Sequence, residues 1–143
     1  MISDTPEFAS PYPIQIADTR QSLDLAGKAA LLKTFDLLQE NRQLIEIKTQ
    51  EFSAVCPGSG LPDIGTLTIQ YIPNKCCIEL KSLKYYLFSF RNDGIFQEPV
   101  TDIIFSQLWD CLEPFYLHIQ MRYNTRGGFD TTTTQERGTL KLN

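Results

Sequence analysis

The chain has 143 residues, of which 42% are hydrophobic and 21% are charged, a composition typical of one ordinary globular domain. Its net charge of −4 and pI of about 4.9 argue against direct nucleic-acid binding, which requires a basic surface for the phosphate backbone. No apolar run approaches the roughly 20 residues of a membrane helix, and the first residues lack the basic and apolar regions of a signal peptide. We therefore expect a cytoplasmic protein whose partner is a small molecule or another copy of the same chain.

The four cysteines predict free thiols. Cys76 and Cys77 are neighbours, so a disulfide between them would be strained, and nothing in the sequence indicates secretion. His118 is the only histidine and no C-x-x-C pair is present, so we expect no metal site.

The amino-terminal part gives the weakest signals. We interpret residues 1–32 as a partly irregular arm and residues 33–143 as a single domain. Residues 1–17 are rich in Pro, Ser and Thr, whereas residues 18–43 show part of a helical pattern mixed with extended segments.

One strand is predicted before, and a second strand after, a Pro- and Gly-rich bend at residues 57–60. In both, apolar or threonine side chains alternate with polar ones, the period of a half-buried strand. The alternating positions are Ile45, Ile47 and Thr49 before the bend, and Leu67, Ile69 and Tyr71 after it.

Two helices follow. The first is predicted from an apolar stripe and is expected to end at a glycine-terminated stop, residues 92–94. In the second, Pro99 suits the first helical position, so Glu98 is the predicted N-cap, and Pro114 ends the helix. The predicted buried positions are Leu80, Leu83, Tyr86, Leu87 and Phe90 in the first helix, and Val100, Ile103, Ile104, Phe105, Leu108, Trp109 and Leu112 in the second.

Two further strands complete the pattern. The third alternates through Leu117, Ile119, Met121 and Tyr123, which makes His118 a structural rather than a catalytic residue, and the threonine run at residues 131–134 predicts a fourth, more exposed strand. This order predicts an α+β fold, a four-stranded antiparallel sheet with two helices on one face.

The bend after the first strand is flanked by two candidate catalytic residues. Cys56 opens the bend and Asp63 follows seven positions later. A loop at a strand end presents reactive groups, and a thiol with a carboxyl group is sufficient for covalent nucleophilic chemistry with a proton donor. The alternative is a cysteine that only packs as a small hydrophobic residue.

Three segments in this order resemble the NADPH-dependent 7-cyano-7-deazaguanine reductases of queuosine biosynthesis, tunnelling-fold nitrile reductases of the short, single-module type. They are residues 51–63 (EFSAVCP and GLPD around the bend), residues 79–86 (ELKSLKYY) and residues 90–98 (FRNDGIFQE), with Arg-Gly-Gly following at residues 126–128. The resemblance covers roughly residues 33–130.

The resemblance implies a covalent mechanism. Cys56 would add to the nitrile carbon of 7-cyano-7-deazaguanine to form a thioimide, and Asp63 would protonate the nitrile nitrogen. Two NADPH molecules would then reduce this group to the aminomethyl product. Because the thiolate is the competent nucleophile, we expect a lowered pKa for Cys56.

The same resemblance assigns binding residues. Glu98 would grip the N–H edge of the purine-like ring, although a helix N-cap is the alternative role. Gln97 stands where some members carry histidine; it can hydrogen-bond the ligand but cannot titrate. Ile78, Glu79 and Leu80 would line the substrate site through backbone groups at a helix start.

The cofactor and the assembly are also implied by the resemblance. Lys81 and Lys84 lie one helical turn apart and would bind NADPH phosphates, whereas the alternative is a solvated helix face. No G-x-G-x-x-G sequence supports a Rossmann domain. Tunnelling-fold proteins join their sheets into an oligomeric barrel, so we expect a homo-oligomer with its sites near subunit interfaces.

Three other functions are alternatives to this one. A pterin-type cyclohydrolase shares the fold and the anchoring glutamate but needs zinc ligands of cysteine and histidine, for which one histidine is too few. A non-catalytic purine- or pterin-binding protein would need neither Cys56 nor Asp63. A structural interaction domain would leave the clustering of these motifs unexplained.

Overall fold

The structure is a computed structural model that describes residues 23–143, so most of the predicted amino-terminal arm, residues 1–22, lies outside the described residues. Within these described residues, three helices and six strands follow one another along the chain. Their bounds are α1 Leu25–Leu31, β1 Thr34–Asp36, β2 Ile45–Val55, β3 Pro62–Ile72, β4 Cys76–Ile78, α2 Leu80–Phe88, α3 Gln97–Leu112, β5 Tyr116–Tyr123 and β6 Thr132–Gly138.

The main sheet is antiparallel, with the strand order β2-β3-β5-β6. Its register places Ile47 opposite Ile69 and Ile69 opposite Ile119, so the apolar positions of the three strands share one face. That face packs against α2 and α3, and the other face is polar. The predicted α+β class and the four strands are confirmed.

The helix α3 begins earlier than predicted. It starts at Gln97 with the extended residue Phe96 as N-cap, so the prediction that Glu98 caps this helix is wrong. Pro99 is the third helical residue, still within the first turn, where a missing N–H has no intrahelical partner to lose. The predicted stripe is confirmed at Val100, Ile104, Phe105, Leu108 and Leu112, whereas Ile103 and Trp109 are only partly buried.

The helix α2 also ends earlier than predicted. It stops at Phe88, and the turn continues through hydrogen bonds from Phe90 N to Leu87 O and from Arg91 N to Phe88 O. These tighter bonds satisfy the last carbonyl groups without a left-handed glycine, so the predicted stop at residues 92–94 is wrong. Leu80 is 60% exposed at the first helical position and does not belong to the buried stripe.

A second, two-stranded sheet was not predicted. β1 pairs with β4 in antiparallel register, with Phe35 opposite Cys77, and Lys33, just before β1, is hydrogen-bonded to Glu79 and Ser82 at the start of α2. Strands of three residues are too short for a period-2 pattern to emerge. No helix between residues 23 and 143 has both the length and the apolarity to span a bilayer.

Candidate active site

A cleft of about 580 Å³ opens where the ends of β2, β3 and β5 meet the start of α3. Four of the predicted site residues line it together: Cys56, Asp63, Gln97 and Glu98. They are separated by up to 42 positions in the sequence, so the fold and not local proximity assembles them.

The loop after β2 presents the Cys56 thiol. The Cys56 N–H donates to Leu61 O at 2.9 Å, and the Gly60 N–H donates to Cys56 O at 2.8 Å. Gly60 has a φ of +72°, a left-handed conformation that glycine adopts without a steric penalty. These bonds close a tight loop with Cys56 at its base.

Hydrogen bonds lower the pKa of the Cys56 thiol below its ordinary value. The main causes are the side chain of Ser59 and the backbone N–H groups of Ser59 and Gly58, all of which stabilise the thiolate. Weaker opposing effects come from burial and from the nearby Asp63 carboxylate. The loop therefore favours the nucleophilic form of the sulfur, and the expected lowered pKa has its cause in the bend itself.

Asp63 is the buried carboxylate of the cleft. It lies on β3 opposite Ala54 of β2, and it is only 4% exposed. Its Oδ1 forms an ion pair with Arg126, whose guanidinium also reaches Pro62 O at 3.3 Å. A carboxylate that is buried needs such a partner, because an unpaired charge away from water is costly.

A tight turn after β5 places the Arg126 side chain. Arg126 and Phe129 exchange two backbone hydrogen bonds of 3.0 and 2.9 Å around Gly127 and Gly128. Both glycines have positive φ, 57° and 80°, as a two-residue hairpin turn of this type requires. The Arg-Gly-Gly sequence thus has a geometric reason, since the turn folds the guanidinium back toward Asp63.

A short backbone bridge holds the start of α3 beside the Cys56 loop. The Val55 N–H donates to Asp93 O at 2.9 Å, and the Ile95 N–H donates to Val55 O at 3.0 Å. On the opposite side, the buried Tyr123 donates its hydroxyl hydrogen to Gln97 O at 3.2 Å. The first turn of α3 is therefore fixed from both sides of the cleft.

Glu98 and Gln97 form one wall of the cleft, in the first turn of α3. The Glu98 side chain is exposed, and Gln97 is partly buried. A carboxylate can accept two parallel N–H bonds, and an amide can donate and accept, so this wall suits a flat heterocycle with polar edges.

The other predicted site residues lie away from this cleft within one chain. Ile78 is buried in β4, and its N–H donates to Tyr71 Oη at 3.1 Å. Glu79 caps α2 by accepting from the N–H groups of Lys81 and Ser82 at 2.8 and 2.7 Å. Both hydrogen bonds lower the pKa of its carboxyl group.

A second, smaller groove is lined by one residue predicted to bind substrate and one predicted to bind NADPH. It has about 240 Å³, lies between β2 and α2, and is lined by Leu80 and Lys84 together with apolar side chains. Lys81 is exposed on the same helix. Ile78, Glu79, Leu80, Lys81 and Lys84 therefore do not share the Cys56 cleft of their own chain.

Comparison with known proteins gives concordant results. A family model described as QueF-like protein matches residues 62–141. The chain is 52% identical over 108 residues to the NADPH-dependent 7-cyano-7-deazaguanine reductase of Chloroherpeton thalassium, covering 75% of this chain and 93% of the relative. It is 51% identical over 105 residues to the protein of that name from Chlorobium phaeobacteroides, covering 73% and 89% of the two chains. The chain belongs to the 7-cyano-7-deazaguanine reductase family.

A solved structure of the archaeosine synthase QueF-Like in its apo form has the same fold as this family member. The TM-score is 0.60 at 18% identity, and the match covers 73% of this chain and all of that one. At this identity the likeness concerns the fold alone.

The sequence of this family member does not by itself identify two further residues of the cleft. For Arg126, the available signal of a partner for Asp63 is the Arg-Gly-Gly motif. Ser59 lowers the pKa of Cys56, but a serine in a bend carries no distinctive pattern. Within residues 23–143, no group of three or more His, Cys, Asp or Glu side chains is arranged to hold a metal ion.

Proposed function

We propose that this chain is an NADPH-dependent nitrile reductase that converts 7-cyano-7-deazaguanine to 7-aminomethyl-7-deazaguanine in the cytoplasm, as a step of queuosine biosynthesis. The observation that carries the proposal is the convergence of Cys56, Asp63 and Glu98 on one cleft, in a chain about half identical to reductases of that name. The names of the relatives indicate the substrate, and the side chains of the cleft are of the types that could bind it and react with it.

The first step is the addition of the Cys56 thiol across the nitrile triple bond. A bond forms between Sγ and the nitrile carbon, one π bond of the nitrile breaks, and the product is a thioimide. The thiol proton passes to the Asp63 carboxylate and from there to the nitrile nitrogen. This transfer lets Asp63 begin as the carboxylate paired with Arg126 and still act as the proton donor.

Glu98 and Gln97 orient the heterocycle for this addition. Glu98 accepts two N–H bonds from the guanine-like edge, and Gln97 provides a further polar contact beside it. Holding the nitrile carbon close to Sγ converts a bimolecular reaction into an effectively intramolecular one. Because Gln97 does not titrate, proton transfer depends on Cys56 and Asp63.

NADPH, when bound, would supply two hydrides in succession; with two protons from solvent and cleavage of the bond between Cys56 Sγ and the substrate carbon, these complete the four-electron reduction and regenerate the thiol. Lys81 and Lys84 present ammonium groups one turn apart on an exposed helix face, which fits the phosphates of such a cofactor. These lysines and the segment Ile78 to Leu80 lie outside the Cys56 cleft of the same chain. A neighbouring copy would bring them to it.

The enzyme assignment is tested by mixing the protein with NADPH and 7-cyano-7-deazaguanine and following absorbance at the nicotinamide band. We expect oxidation that requires the nitrile, with two NADPH consumed per substrate. The 7-aminomethyl product, added in place of the nitrile, is the matched control and should cause no oxidation. A folded, reduced protein that binds the nitrile but oxidises no NADPH would be a binding protein and not a reductase.

The assembly that would complete the site is a barrel of several copies. Within residues 23–143, β2 and β6 are the edge strands of the main sheet, each paired on one side only. Open edges are a liability that pairing between copies removes, and closure into a ring is the symmetric outcome of head-to-tail contacts.

Light scattering should accordingly give a mass several times 16.3 kDa. Specific activity should fall on dilution below the dissociation constant of the assembly, because the site would draw on two chains. A monomer with full activity would contradict both the barrel and the shared site.

A further inference from the structure

We infer that Lys28, on the amino-terminal helix α1, is a positioning residue for the Cys56 cleft and acts through a buried ion pair with Asp93. This inference deepens the proposed function, on which its catalytic consequence rests. Lys28 lies outside the segments that resemble the family and outside residues 62–141, which the family model matches.

The Lys28 ammonium group is fully enclosed. Lys28 is 2% exposed, and its Nζ lies 2.6 Å from Asp93 Oδ2, 2.6 Å from Ser89 O and 3.3 Å from Ser89 Oγ. The same nitrogen lies 4.4 Å from the centroid of the Phe90 ring. One side chain of α1 therefore contacts Ser89, Phe90 and Asp93, three residues of the connection between α2 and α3.

This connection is bonded directly to the backbone of the active site. The carbonyl oxygen of Asp93, the partner of Lys28, accepts from the N–H of Val55, the residue before Cys56. Two residues later, Ile95 donates back to Val55 O, and α3 begins at Gln97. The ion pair thus fixes a segment that is hydrogen-bonded to the residue before Cys56 and that leads directly into Gln97 and Glu98.

A second path runs through aromatic side chains. The Phe90 ring under the ammonium group contacts Phe52, with 6.0 Å between the ring centroids. Phe52 is buried on β2, four residues before Cys56. Lys28 therefore contacts Asp93, whose backbone carbonyl is bonded to the end of β2, and Phe90, whose ring packs against Phe52 of the same strand.

Stability alone does not explain this pair. Burying two charges is costly, and apolar residues of similar volume often replace such pairs with no loss of stability. Moreover, Asp93 Oδ1 is buried without a hydrogen-bond partner among the described residues, a further cost. The charge-assisted hydrogen bonds from Lys28 to Asp93 and Ser89 are directional, whereas apolar packing is not. These bonds therefore fix the position of the connection between α2 and α3.

The test separates position from stability by exchanging the pair for apolar side chains. The double variant Lys28→Met/Asp93→Leu should keep a melting transition close to that of the wild type. It should nevertheless form the thioimide at least about tenfold more slowly, since a displacement of 1 Å can cost about a hundredfold in rate. Lys75→Met, which removes an exposed pair with Glu113 at 3.9 Å, is the matched control and should leave the rate unchanged.

A second readout does not depend on the nitrile chemistry. Alkylation of Cys56 by iodoacetamide, followed by peptide mass spectrometry across pH, reports the hydrogen bonds that Ser59 and Gly58 make to the thiolate. In the double variant the midpoint should rise toward the ordinary thiol value of about 8.5. A midpoint equal to that of the wild type would overturn the positioning role.

The two proposals fail in different ways. If the wild type forms no adduct with the nitrile, the proposed function falls while the alkylation midpoint still decides the role of Lys28. If the double variant does not fold, Asp93→Asn is measured in the same manner, because it keeps the size of the side chain and removes its charge. The same rise in midpoint supports the inference in that variant, and an unchanged midpoint refutes it.

Discussion

Cys56→Ala is expected to abolish turnover and to eliminate the covalent adduct with 7-cyano-7-deazaguanine. The thiol forms the only covalent bond between protein and substrate in the proposed addition, so no residual route through a thioimide remains. Intact-protein mass spectrometry without NADPH should show the wild type heavier by one substrate mass and the variant unshifted.

The remaining thiols provide the controls for this experiment. Cys76 and Cys111 are partly buried and lie outside the cleft, and burial raises the pKa of both. Cys76→Ala and Cys111→Ala should therefore retain the adduct and most of the turnover. An adduct that persists in Cys56→Ala would identify a different nucleophile and would require a different site.

Glu98→Ala is expected to weaken substrate binding by about 1.5–3 kcal/mol, the usual range for hydrogen bonds to a charged group. The binding should be measured by titration calorimetry in the Cys56→Ala background, so that covalent capture does not contribute to the affinity. Glu98→Gln is the matched variant, since it keeps the shape but offers one acceptor oxygen in place of two.

Asp63→Asn separates binding from chemistry in the same assay. It should leave the affinity nearly unchanged and, in the presence of Cys56, should slow the addition because proton transfer to the nitrile nitrogen is lost. If Asp63→Asn lost binding while Glu98→Ala retained it, the two roles would have to be exchanged.

The main sheet could be predicted because its signal is local. Ile69 and Ile119 occupy alternating positions on strands long enough to show the period, and both are fully buried on the predicted face. The pairing of β1 with β4 could not be predicted, since three residues carry no period and the two strands are joined only by tertiary contacts. The predicted end of α2 and the predicted start of α3 were wrong, because other hydrogen bonds can satisfy the backbone groups at a helix terminus as well as the expected cap does.

In the candidate site, too, residues within one segment could be predicted, whereas contacts between distant segments could not. Cys56 and Asp63 could be named from one segment, and the structure places both in one cleft with Glu98. The pairing of Asp63 with Arg126 spans 63 positions, so only the folded chain reveals it. The sequence gives no signal for Lys28, since a lysine in a segment without a clear period indicates a solvated side chain and not the buried one that the structure has.

The hydrogen bonds in the bend that favour the Cys56 thiolate also make this sulfur the one most open to oxidants. Thiolates react with peroxides far more readily than thiols, and the product at this stage, a sulfenic acid, is restored by small-molecule thiols. Cys77 is 5% exposed, and Cys76 and Cys111 are partly buried with raised pKa values, so none of them competes for the oxidant on equal terms. Under the proposed mechanism, storage in air would accordingly remove catalytic competence from a population that still looks folded, and a reductant would return it.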